Sequence, residues 1–147
     1  MPQFKFRLDN VLEFRKQVED QYKRELASLK LLLLKEEKFL RDLEQKKAAM
    51  QETLKARQCD TLNMDEILNY YNYLSVCRQK IVDQIAVINQ CIELIETKRN
   101  ELVNASKEKK IIEKLKDNQY QEFKQLLDRI ETKMIDEIAT SGYTHKR

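Results

Sequence analysis

Glycine and proline are almost missing from this chain, with one of each in 147 residues: Gly142 and Pro2. Between Gln3 and Ser141 nothing obliges a helix to break, and few positions could host a glycine-dependent turn. A compact α/β enzyme, a β-sandwich and a collagen are thereby excluded. The single histidine, His145, falls in the tail, so the ordered part can assemble neither a Ser-His nor a Cys-His pair. No glycine-rich loop exists to cradle a phosphate. The three cysteines, Cys59, Cys77 and Cys91, are odd in number, widely spaced and form no CxxC, which argues against a disulfide framework. Cys77 and Cys91 lie about 21 Å apart along a helix, too far to share a metal ion. The longest apolar runs, such as Leu31–Leu34, fall far short of the roughly 18 residues of a membrane span. The N-terminus lacks the apolar core of a signal peptide. A net charge of only +3, from 28 basic and 25 acidic residues, provides no strong phosphate-binding field. The expectation is a reduced, cytosolic protein without cofactor, metal, nucleic acid or small-molecule substrate.

What the chain does contain is charge and aliphatic residues. Charged residues make up 36%, against roughly 25% in an ordinary domain, and apolar residues 41%. That combination describes long helices with narrow apolar seams. The helical pattern lapses at residues 58–63, where Gln58-Cys59-Asp60-Thr61-Leu62-Asn63 collects turn and cap formers. Asn63 reads as an N-cap with Glu66 as its capping-box partner, and Asp65 and Glu66 suit the positive end of the helix dipole. The expected organisation is one domain over 1–147: helix 1 at about 8–57, a turn at about 58–63, helix 2 at about 64–140 and a tail at 141–147. Gly142 is suited to the C-terminal cap.

The seams can be counted. In helix 1, Leu8, Leu12, Tyr22, Leu26, Leu29, Leu33, Leu40, Leu43, Met50 and Leu54 are ten apolar residues among fourteen heptad positions. The exceptions are Arg15, Glu19, Glu36 and Lys47. In helix 2, one register runs Ile67, Tyr71, Leu74, Arg78, Ile81, Ile85, Ile88, Ile92, Ile95, Arg99, Leu102, nine of eleven apolar. A sustained period of seven imposes a left-handed coiled coil, and two such helices joined by a short turn form an antiparallel hairpin. The fold class is all-α. This register fails at Ser106, Lys109, Glu113 and Lys116 and resumes at Tyr120, Phe123, Leu127, Ile130 and Met134, while Ile111, Ile112 and Leu115 form a rotated stripe. Two explanations are open: a stutter that unwinds the supercoil, or a stretch where the hairpin opens or meets another protein. At ~1.5 Å per residue helix 1 spans roughly 75 Å and helix 2 roughly 115 Å. Helix 1 therefore runs out opposite about residue 115. Its overhang leaves Phe123, Leu127, Ile130 and Met134 without a partner helix, so it must fold back, dimerise or dock.

Two further features carry no catalytic chemistry but suit binding. Tyr70 and Tyr73 point away from the expected seam, and Tyr73 with Cys77 and Lys80 forms a second stripe on a face that helix 1 does not cover. Exposed tyrosines bring contact area and a polar tip at low entropy cost. The stretch Lys98–Lys116 has seven basic residues against three acidic, either a solvated face laced by i,i+4 pairs or a seat for a negatively charged protein collar. Adjacent carboxylates such as Glu36-Glu37 have no pocket to raise a pKa.

Taken in order, several segments are recognisable. Phe4-Lys5-Phe6-Arg7-Leu8 leads into Val11-Leu12-Glu13-Phe14-Arg15. Met64-Asp65-Glu66-Ile67-Leu68-Asn69-Tyr70-Tyr71-Asn72-Tyr73-Leu74 follows the turn, then Lys109-Lys110-Ile111-Ile112-Glu113-Lys114-Leu115-Lys116-Asp117, and finally Met134-Ile135-Asp136-Glu137-Ile138. Their order over essentially the whole length resembles the FliJ family, the coiled-coil component of the bacterial flagellar type III export apparatus. Each motif alone is degenerate, since any coiled coil is rich in Lys, Glu and Leu.

The resemblance implies a non-enzymatic protein similar to the central γ stalk of rotary ATPases. Such a protein stands in the export ATPase hexamer, promotes its assembly and activity, links it to the cytoplasmic region of the export-gate membrane protein, and escorts export chaperones. It implies a cytoplasmic location, peripheral to the inner membrane at the flagellar base. On this reading Phe4, Phe6, Tyr120, Phe123, Leu127, Ile130 and Met134 meet the ATPase ring, and Tyr70, Tyr73, Cys77 and Lys80 meet the gate or chaperones. Alternatives are a scaffold or oligomerisation coiled coil, the stalk protein of a virulence type III secretion system, and a vacuolar-type ATPase stalk. Residues 58–63 leave no room for the inserted domain of the last.

Overall fold

A computed structural model describes residues 2–58 and 63–145. It contains two helices, α1 (Asp9–Arg57) and α2 (Met64–His145), and no strand among the described residues. Residues 2–8 precede α1 without helix. The entry to α1 is fixed by the Asp9 N–H donating to the Phe6 carbonyl at 3.2 Å and the Leu12 N–H to Leu8 at 2.9 Å. At its far end Lys55 and Arg57 complement the negative pole of the helix dipole. Asn63 caps α2: its side-chain oxygen accepts from the Asp65 N–H at 3.3 Å, and its carbonyl from Glu66 and Ile67 at 3.1 and 3.2 Å. Cys59 to Leu62, the centre of the expected turn, lie outside the described residues.

α2 runs on through Gly142 to His145, and Gly142 does not take a positive φ. The C-cap expected at Gly142 is therefore corrected. Glycine permits the left-handed turn without requiring it, and a helical glycine costs only about 0.5–1 kcal/mol relative to alanine. The last turns are also tied locally by the Thr140 hydroxyl, which donates to the Asp136 carbonyl at 2.8 Å.

Contacts divide the chain into two compact units, Tyr22–Leu102 and Met1–Gln21 with Val103–Arg147. Within each the two helices run antiparallel, the arrangement the seams call for. In the unit Tyr22–Leu102, Leu26, Cys91 and Ile95 form a buried cluster flanked by Leu29, Leu33 and Leu102. Full burial of such side chains is worth about 1.5–3 kcal/mol each. Going outward from that cluster, Glu36 meets Gln84 and Arg57 lies over the Tyr70 ring at 6.0 Å. In the other unit Asp9 meets Lys116, Arg15 meets Glu108, and Glu19 meets Ser106 and Lys109. One seam is thus mainly aliphatic and the other largely ionic.

Burial at Leu8 and along α1 follows the counted heptads at all fourteen positions, including Arg15, Glu19, Glu36 and Lys47. On α2 only half of the expected register holds. The row Ile67, Leu74, Ile81, Ile88, Ile95, Leu102 is buried or half-buried, but its partner row lies three residues on, not four: Tyr70, Cys77, Gln84, Cys91, Lys98, Ala105, Ile112. Tyr71, Arg78, Ile85, Ile92 and Arg99 are exposed. The reason is polar matching. Gln84 donates to both the carbonyl and the carboxylate of Glu36, so Glu36 selects it over Ile85, and Glu25 engages Lys98, at 2.7 Å, in preference to Arg99. With the corrected row, Ala105 and Ile112 join Lys109 and Lys116 of the retained row as buried or half-buried positions, so the register continues there without the stutter that was one of the two explanations left open.

Candidate functional site

Past Lys116 the environment of α2 changes. Asp9, the first residue of α1, holds the Lys116 ammonium at 2.8 Å, and Lys116 also lies 5.9 Å from the centre of the Phe6 ring. The non-helical residues 2–8 then lie along α2: Phe4 packs edge-on to Tyr120 at 5.4 Å and tilted against Phe123 at 5.6 Å. Lys124 sits 5.3 Å from the Tyr120 ring centre. Beyond Phe4 the stripe emerges into solvent. Phe123 and Leu127 are half-buried, Ile130 is 44% exposed, Met134 56% and Ile138 69%. Met134, Ile138, Ser141 and Gly142 line a shallow groove there with Glu137. These residues recur at three- and four-residue spacing and form one apolar face.

The candidates near the start of α2 fare differently. Cys77 is only 5% exposed and belongs to the seam, so it is removed from the partner-facing set; the four-on register had turned it outward. Tyr70 is half-buried under Arg57. Tyr73 and Lys80 are exposed, and both remain able to contact a partner. Phe6, expected at the ring, is 5% exposed and is structural. Lys98, Lys109 and Lys116 of the basic stretch are committed to Glu25 and Glu101, Glu19, and Asp9 respectively. Hydrogen bonds that the Lys98 ammonium donates to Glu25 first, then Glu101, raise its pKa well above the ordinary lysine range. Its ammonium also lies over Tyr22 at 4.9 Å. These pairs weaken the reading of a collar seat, because their charge is already answered within the chain.

Sequence reasoning missed Ile135 and Ile138, which extend exposed apolar surface one turn past Met134. Ile138 lies four residues after Met134, a readable continuation of the stripe inside the helix expected to 140, whereas Ile135 falls on an adjoining face. Among the described residues no group of three His, Cys, Asp or Glu is placed to hold a metal ion, and no helix is long and apolar enough to cross a membrane. What the geometry offers is an apolar helix face of the kind that docks in a groove.

The family model for the flagellar FliJ protein matches residues 4–147. The chain belongs to the FliJ family. It is accordingly a component of the flagellar, type III protein export machinery. The fold is shared with a solved structure reported as a "putative YscO homolog CT670 from Chlamydia trachomatis", at a TM-score of 0.50, 20% identity and 94% coverage of each chain. No curated protein matches the chain. Within the family's span, the match includes both the Phe4 segment and the whole exposed stripe of α2.

Proposed function

We propose that this FliJ-family chain acts as a non-catalytic stalk of the export ATPase. The apolar face of α2 around Leu127, Ile130 and Met134 enters the ATPase hexamer, promotes its assembly and raises its rate of hydrolysis. One observation carries this reading: α1 begins opposite Lys116, and beyond it the apolar stripe of α2 grows steadily more exposed from Leu127 to Ile138. Leaving such side chains in water forgoes about 1.5–3 kcal/mol apiece, which a docking partner recovers. Residues 117–145 carry six Asp or Glu against three Lys or Arg, so the receiving face of the ring is expected to be basic. Tyr73 and Lys80, far along the chain from this stripe, serve the export gate or its chaperones. The protein works in the cytoplasm, peripheral to the inner membrane.

The test uses the full chain and its cognate export ATPase. Leu127→Asp with Ile130→Asp is expected to abolish copurification and stimulation of ATP hydrolysis, with the far-ultraviolet circular dichroism of the chain retained. Undiminished binding by that double variant rules out the stripe as the docking face.

A further inference from the structure

The docking stripe is already occupied at one end by the chain itself. Tyr120, Phe123, Leu127, Ile130 and Met134 follow each other at three- and four-residue spacing, and Phe4 lies on the first two at 5.4 and 5.6 Å. Phe4 is held by a short non-helical segment whose next anchor, Phe6, is buried beneath Lys116. Phe4 itself is only half-buried, and no backbone hydrogen bond of a strand or helix fixes it. A helix or groove that takes the exposed end and extends toward Tyr120 meets this ring first. We infer that Phe4 is an intramolecular strap over the Tyr120–Phe123 end of the stripe, in competition with the docking partner, which must displace it to engage the stripe in full. This rests on the docking face proposed above and reverses the role expected for Phe4 from sequence, where it was a contact with the ring.

The physical logic is that of a fractionally available site. A strap closed nine times in ten lowers apparent affinity about tenfold, and removing it restores that factor. Phe6 keeps its place in this scheme: it anchors the segment, and Phe4 alone opens. The strap is weak enough to open because it consists of one ring edge and one tilted stack at the end of a chain segment.

Two variants of the full chain distinguish the strap from the docking face. Phe4→Ala is expected to bind the purified cognate ATPase about five- to tenfold more tightly, and to speed hydrogen exchange over residues 117–127 in the free chain. Phe4→Leu, which keeps apolar cover, is expected to fall between it and the parent. Ile130→Asp, tested alongside, is expected to lose binding. Weaker binding by Phe4→Ala together with loss in Ile130→Asp overturns the strap and makes Phe4 a direct contact, while sparing the docking face. Equal binding by Phe4→Ala and the parent also overturns the strap. Undiminished binding by Ile130→Asp overturns the docking face and, with it, the competition.

Discussion

Glu19 is the most demanding residue of the seam, and its removal from balance is the sharpest test of how the charged part of the coil is held. Its carboxylate is 4% exposed, with one oxygen accepting from the Lys109 ammonium at 3.0 Å and the other from the Ser106 hydroxyl at 2.8 Å. Lys109 is itself largely covered, with a side-chain exposure of 19%. Replacing Lys109 with Met keeps the methylene packing and removes the Lys109 charge from beside a buried carboxylate. Breaking a buried pair in this way costs about 3–5 kcal/mol, and with Ser106 still donating the expectation here is about 2–3 kcal/mol. At a slope of roughly 2 kcal/mol per molar urea, the midpoint of unfolding should fall by about 1–1.5 M. The companion variant, Glu19→Leu with Lys109→Met, removes both charges and should recover most or all of the loss, because well-packed apolar replacements of buried pairs are often neutral or stabilising. Urea titration followed by circular dichroism gives the magnitudes, and hydrogen exchange over residues 103–116 locates them. A loss under about 0.5 kcal/mol in Lys109→Met, the range of an ordinary surface substitution, would show that Glu19 is not desolvated as its burial indicates. A double variant no more stable than the single one would refute the pairing itself.

Lys98 gives a pH dependence with a defined sign. Its folded pKa is raised by Glu25 and Glu101, so its contribution is complete at neutral pH. It is lost only as pH rises from the ordinary lysine range through the raised value. An alkaline titration of stability should therefore be steeper in the parent than in Lys98→Met, and identical curves contradict the ion pairs. Cys77 and Cys91 are both buried in the seam, and the Cys91 thiol donates to the Leu29 carbonyl at 3.8 Å. In a Cys59→Ser background, a thiol reagent should label them slowly in buffer and rapidly in denaturant. Fast labelling of Cys77 in buffer would reinstate it as an outward-facing residue.

The fold and half of the seam were legible from apolar periodicity because burial of Leu and Ile dominates it. α1 could be read at every heptad position, even where Arg15, Glu19, Glu36 and Lys47 interrupt it, since the flanking leucines leave no other face. α2 offered two rows of similar hydrophobicity beside its isoleucines. Counting apolar residues favours Tyr71, Ile85 and Ile92, whereas the structure uses Tyr70, Gln84, Cys91 and Lys98. The deciding term is invisible to a one-helix count, because Gln84 and Lys98 are chosen by Glu36 and Glu25 on the other helix. The same error turned Cys77 outward and read Ser106 and Glu113 as seam positions where Ala105 and Ile112 belong. The overhang, in contrast, needed only helix lengths, and Asp9 meeting Lys116 lies within one residue of the position those lengths imply.

That ionic seam has a consequence for where the docking stripe starts. An aliphatic coil is tolerant of sliding by a heptad, since one leucine replaces another at each position. Between Asp9 and Gln21 such a slip is penalised. Moving α1 seven residues toward the end of α2 would set Asp9 against Phe123 and Arg15 against Leu115, exchanging two attractions for charges on apolar side chains, and would put the Glu113 carboxylate in place of the Ser106 hydroxyl beside Glu19. The matched set Asp9–Lys116, Arg15–Glu108 and Glu19–Lys109 is satisfied in one alignment. Charged seam positions add less stability than leucines, and their role here is register. Because α1 begins at Asp9, fixing that register also fixes Phe4 over Tyr120 and Phe123, and leaves the exposed stripe to begin near Leu127. The placement of the docking face is thus a property of ion pairs about three to five turns away from it, and a seam made wholly of leucine would hold the helices together while leaving that placement undefined.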